Sequence, residues 1–250
     1  MNSITDLRHY IGIQETNLLT NVLNAGEGFA LIEELSHLFT DSTKLNDLDD
    51  KNLKLPVFLY MNSSAELNFS MASCLRLNRS HAFIGLRVAI DCALTADYLM
   101  RYPDKRDVYL YEFINDEEKR QDNEKEWKKV FLNIKNTIRK DITSFPHARG
   151  LVKIHELCSK LSHADALGIM HRYSEGDGML SAKFFDYDDT VEEFNAYLAV
   201  LLLGFFEIYQ MFWIELFKGL AGEKANEVAS VIEVFKLKIL AFQKKYPLGE

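Results

Sequence analysis

The segment SAELNFSMASCLRLNRSHAFIGLRVAIDCALTADYLMRY, from Ser64 to Tyr102, decides how this chain is read. Leu67, Met71, Cys74, Asn78, Ala82, Gly85, Ala89, Cys92, Ala96 and Leu99 recur at steps of three or four, the period of one helix face. Most of these residues are small, which lets another helix approach closely. No proline interrupts the run before Pro103. The spacing therefore predicts one long helix from Ser64 to Tyr102 at the centre of the fold.

The same period continues on both sides. Ile11, Leu18, Val22, Phe29, Ile32 and Phe39 mark one helix from Thr5 to Phe39, with Gly26 and Gly28 as points of kink or break. A polar loop, DSTKLNDLDDKN, follows from Asp41, and Pro56 reopens ordered structure. After Pro103 a helix is expected over Lys105 to Asn115. Another, over Asn123 to Asp141, sets Trp127, Phe131, Ile134 and Ile138 against a basic face of Lys125, Lys128, Lys129, Lys135 and Arg139. Pro146 suits the first turn of a helix running to Ser162. The period then changes: Ile169 to Tyr173 and Met179 to Phe185 flank Ser-Glu-Gly-Asp-Gly and predict a β-hairpin. Thr190 to Phe217 is apolar on nearly all sides, as a helix surrounded by others should be. On the last helix, Val228, Ile232, Phe235, Ile239, Phe242 and Tyr246 form an a/d-like seam that packs either on the bundle or on a second copy. The expected architecture is all-α: a single domain over residues 1–250, six or seven helices, and one small hairpin near 169–185.

Composition agrees. The chain has 250 residues, 48% hydrophobic and 26% charged, which fits a folded protein and excludes a disordered one. Its 12 glycines and 4 prolines are too few for the turns of an all-β domain of this length. The net charge of −8 opposes long-range attraction to nucleic acid. Cys74, Cys92 and Cys158 are odd in number, far apart and form no C-x-x-C, so reduced thiols in a cytoplasmic protein are expected. MNSITDLRHYIG lacks the basic and apolar regions of a signal peptide. The apolar run Ala196 to Phe206 falls short of the ~20 residues of a membrane span, so a buried core helix is expected there.

Several motifs have a structural explanation. FFDYDDTV, Phe184 to Val191, matches the D-x-D-x-T of haloacid-dehalogenase-like phosphatases, but the helices that follow cannot supply the parallel sheet that motif requires. Thr190-x-x-Glu193 reads instead as a capping box, with Asp188 and Asp189 favouring the positive helix N-terminus. Glu34-x-x-His37 is a single E-x-x-H, where di-iron bundles need two and further glutamates. His147, His155, His163 and His171 recur every eight residues, a spacing that turns about 80° past two helical turns, so they share no face. No metal and no cofactor is expected. Ser162, His163 and Asp165 cannot form a relay among themselves, because neighbours on a helix point about 100° apart. G-x-S-x-G, Walker A and G-x-G-x-x-G are absent.

The polar side of the central segment remains. Arg76, Arg79, Arg87 and Asp91 fall within about 120° of one another on a continuous helix. That face is either solvated, with an Arg87–Asp91 pair, or an anion site, since guanidinium forks match phosphate. Arg76-Leu-Asn-Arg-Ser-His81 resembles the R-x4-H motif of HEPN domains, all-helical modules that include metal-independent ribonucleases and inactive relatives. LRVAIDCALTADYL, followed later by KLSHAD, is similar to bacterial helical families grouped near HEPN proteins, and maps their arginine, acid and histidine onto Arg87, Asp91 and His163. The resemblance spans Cys74 to Ala164 and departs from the active motif at Leu77, where a polar residue is usual. It implies a defence- or toxin-type endoribonuclease acting on RNA as a dimer. His81 or His163 would be general base toward the 2′-hydroxyl, and Arg76 or Arg87 would stabilise the phosphate charge. The alternative is a non-catalytic helical interaction module, or a regulator that binds a small anion at Arg76 and Arg87.

Overall fold

The computed structural model describes residues 7–44, 51–141, 143–162, 173–176, 179–182 and 190–248. Helices dominate: α1 Leu7–Ala25, α2 Glu27–Thr43, α3 Lys51–Leu75, α4 Arg79–Arg101, α5 Arg106–Tyr109, α6 Glu117–Lys140, α7 Ala148–Ser162, α8 Val191–Phe212, α9 Lys218–Leu220 and α10 Ala225–Lys245. Between α7 and α8, strands β1 Tyr173–Gly176 and β2 Met179–Ala182 pair antiparallel, Tyr173 opposite Ala182. Residues 169–172, 177–178 and 183–185 of the expected hairpin lie outside the described residues. The all-α class holds. The helices outnumber the expected six or seven, mainly because both long N-terminal helices are cut in two, and Lys105 to Asn115 forms short helical turns instead of one helix.

The first cut is at Gly26, whose φ of 51° suits glycine and separates α1 from α2. The second corrects the central reading. The Ser64–Tyr102 segment is not one helix: α3 stops at Leu75, and Leu77 takes a left-handed φ of 61°. Asn78 N donates to Ser73 O and Leu77 N to Cys74 O, both at 2.9 Å, the two bonds of a Schellman stop. A leucine there costs about 1–2 kcal/mol, and help arrives from far away in sequence. Asn21 Nδ2 donates to Leu75 O at 3.1 Å and Asn17 Nδ2 to Arg76 O at 3.4 Å, satisfying carbonyls that the helix end leaves open. α1 therefore buries Asn17, Asn21 and Ala25; Leu18 and Val22 of the expected apolar face pack partly buried against the core, and Ile11 is exposed.

The break folds the small-residue stripe onto itself. α3 and α4 form an antiparallel hairpin in which Ser63 Oγ donates to Ala89 O at 3.1 Å. A Cβ on Gly85 would lie 2.2 Å from Ser70 Oγ. The close approach expected with another helix thus occurs between two halves of one segment.

α8 runs through the middle, touching α1, α2, α3, α4, α7 and α10. The stretch Val191–Leu220 is long and apolar enough to cross a membrane by length and composition, and 72% of its most apolar window is buried inside the bundle. Its start is the expected capping box: Glu193 N donates to Thr190 Oγ1 at 3.1 Å and Thr190 N to Glu193 Oε2 at 2.8 Å. Residues 184–189 of the FFDYDDTV motif lie outside the described residues. Past Phe212 the helix widens into a π turn, Trp213–Phe217. There Phe217 and Phe212 pack edge-on against Tyr60, with centroids 4.7 and 4.9 Å away. The seam on the last helix packs on the bundle: Ile232, Phe235, Ile239 and Phe242 are buried. On α6, Trp127, Ile134 and Ile138 are buried, whereas Phe131 is exposed.

Candidate functional site

α4 is packed by α3 on one side and by α7 and α8 on others, with α6 crossing its C-terminal half. It carries most of the candidate residues. Near its middle is Asp91, whose Oδ1 lies 3.1 Å from Lys135 Nζ of α6 and 3.2 Å from His155 Nε2 of α7. Lys135 Nζ and His155 Nε2 are themselves 2.8 Å apart. The Lys135 ammonium has donors for both neighbours, and His155 Nδ1 lies 3.5 Å from Ser159 Oγ. Burial pushes the Asp91 carboxyl up, but the hydrogen bond and charge of His155 and the Lys135 ammonium outweigh it and leave the pKa lowered. The cluster ties three helices together, and its histidine is buried.

Arg87, one turn before Asp91, is half-buried and close enough to Cys158 for its charge to act on that thiol. Burial dominates there and raises Cys158 to about 12. Asp91 meets His155, not the expected His163, which lies outside the described residues, as do Asp165 and His171. Arg76 is not on the α4 face at all, because the chain breaks at Leu77. Its Nη1 donates to Ala72 O at 3.1 Å on its own helix. His81 is exposed in the first turn of α4, and the Arg79 guanidinium stacks 4.1 Å from the centroid of the Tyr197 ring.

A second charged cluster was not foreseen. Asp97, 1% exposed, accepts from Arg101 Nε at 3.0 Å. Arg101 Nη2 also reaches Glu215 Oε1 at 3.0 Å, on the π turn, and lies over the ring of Phe145. His147 Nε2 approaches the same Glu215 oxygen at 3.8 Å. Asp97 Oδ2 is buried and finds no partner. Burial raises Asp97 to about 6, with Arg101 lowering it and Glu215 raising it. The signal for this cluster was present as an i, i+4 acid–base pair inside an apolar run, and for His155 as a histidine among Leu151, Val152 and Cys158.

The expected basic track on α6 is largely neutralised. Lys125 faces Asp122, Lys128 faces Glu124, Lys135 faces Asp91 and Arg139 faces Glu156. Among the described residues, no three His, Cys, Asp or Glu side chains converge as a metal site. The chemistry this arrangement offers is therefore charge pairing between helices, plus one exposed histidine beside a turn bearing two arginines. No protein-family model, no curated protein and no solved structure matches this chain.

Proposed function

We propose that this chain is a non-catalytic helical interaction module of the cytoplasm. The observation that carries this is the use made of Asp91: its carboxylate binds Lys135 and His155, so the acid on the central helix acts as a clamp between helices. The surface adds support. Having turned its asparagines inward, α1 presents Leu7, Leu19 and Leu23 at 71%, 72% and 81% exposure, which is what a contact surface requires. The three cysteines are free thiols, in keeping with a reducing compartment.

A HEPN-like ribonuclease is the second reading, favoured by the turn at Leu77. On a straight helix Arg76 and His81 would project about 140° apart. The turn places Arg76 at the end of one helix and an exposed His81 in the first turn of the next. RNA would then be the partner, with His81 as general base and Arg76 on the phosphate. Incubating a mixed RNA pool in EDTA with wild type, Arg76→Ala/His81→Ala and Arg87→Ala/His163→Ala separates the two. Intact RNA with folded wild type is the expected result. Cleavage that disappears in either double variant would overturn the interaction reading and assign the site.

A further inference from the structure

α2 and α10 lie side by side and antiparallel, with a groove of about 400 Å³ between them. Ala30, Leu31, Ala241 and Phe242 form its floor. Two ion pairs cross it, Glu27 with Lys245 at 2.7 Å and Glu34 with Lys238 at 2.8 Å. On α10, Val231 and Val234 are exposed and precede Lys238, Ala241 and Lys245 at a/d spacing. This stripe is separate from the buried seam that packs α10 on the bundle.

The two walls carry opposite charge. α2 holds Glu27, Glu33, Glu34 and Asp41 and no lysine or arginine. α10 holds Lys236, Lys238, Lys244 and Lys245 against Glu227 and Glu233. We infer that this face binds a second copy of the chain through a twofold axis parallel to the two helices. Such an axis lays α2 of each copy on α10 of the other without changing level along the helices. Glu27 then faces the partner's Lys245, and Glu34 the partner's Lys238. At the far end the signs reverse together: Lys44, just past α2, comes level with the partner's Glu227. An axis across the helices would stack α2 on α2, acid on acid, so the charge pattern selects one arrangement. α2 is about 26 Å long, and two adjacent helices present a face about 20 Å wide, giving on the order of 500 Å² per copy. That is small for a specific interface, so the dimer is weak and depends on concentration. The inference does not rest on the functional reading above; the interaction module and the ribonuclease both accommodate it.

The test uses two charge variants of the full chain, Glu27→Lys/Glu34→Lys and Lys238→Glu/Lys245→Glu, with circular dichroism to show that each is folded. In sedimentation equilibrium at on the order of 100 μM, wild type should rise from the 28.9 kDa of one chain toward twice that mass. Each variant alone should stay monomeric, because positions 27, 34, 238 and 245 of its face then carry one sign. Mixing the two should restore the doubled mass, since each now offers what the other lacks. The fourfold exchange carrying all four substitutions restores both the internal pairs and the complementary face, and should dimerise alone. Wild type that remains monomeric throughout, leaving the groove to a foreign partner, would overturn the proposal. So would variants that dimerise as well as wild type, or a mixture that does not associate.

Discussion

Replacing Asp97 by asparagine tests the least comfortable group in the core. Asp97 is 1% exposed, one carboxylate oxygen has no partner, and its pKa stands near 6 against the 3.8 of an ordinary aspartate. The folded state therefore holds the proton more tightly than the unfolded chain. Stability from this group is full below about pH 4 and falls as pH rises through 6. Moving the carboxyl from 3.8 to about 6 corresponds to roughly 3 kcal/mol. Between pH 5 and pH 7 the part that changes is about 1 kcal/mol, or about 2–4 °C in melting temperature for a chain of this size. Asparagine keeps an acceptor for Arg101 and cannot ionise, so Asp97→Asn lacks this slope. Urea unfolding at pH 5 and pH 7, followed by circular dichroism, gives the difference between wild type and variant at each pH. That difference cancels the other groups titrating in the window, including half-buried Glu207, whose pKa is also raised by desolvation. Wild type should gain on the variant by about 1 kcal/mol on going to pH 5. A difference that stays constant, or moves the other way, would refute the account of Asp97 as a strained buried charge.

Other consequences follow from the packing. Asp91→Asn removes the charge that Lys135 and His155 share, and should cost about 1–3 kcal/mol at pH 7 in thermal or urea unfolding. Because the folded pKa of Asp91 is lowered, its contribution is present above about pH 4 and is lost as pH falls below that. The Asp91 and Asp97 effects thus occupy different pH windows with opposite sign. Gly85→Ala should destabilise by about 1–3 kcal/mol, because the new methyl meets Ser70 Oγ. Ser70→Ala removes a buried hydroxyl that lacks a partner and should recover much of that loss in the double variant. Independent, additive effects of the two substitutions would show that they do not meet across the α3–α4 hairpin.

How much of this was legible beforehand depends on the reach of each interaction. The capping box at Thr190 and Glu193 was, because both partners sit within four residues. So was the buried seam of Ile232, Phe235, Ile239 and Phe242, since period alone places them on one face. Whether that seam met the bundle or another chain was not contained in the period. The candidate site fared worse. Arg87 and Asp91 were visible as a polar strip on α4, but Asp91 takes its partners from α6 and α7, 44 and 64 residues away. A histidine at a core position and a lysine on an outer face announce no meeting.

By itself the sequence determined the helical class, the central place of α4 and α8, and the local caps, because hydrophobic period and end chemistry act over a few residues. Tertiary structure decided where the central helix breaks. Nothing in Arg76-Leu77-Asn78 marks a stop, since leucine favours a helix. The stop exists because Asn17 and Asn21 reach across to the open carbonyls of Arg76 and Leu75, 59 and 54 residues away. Those two distant capping contacts moved Arg76 off the face it shared with Arg87 and Asp91, and go with an α1 that leaves Leu7, Leu19 and Leu23 outside.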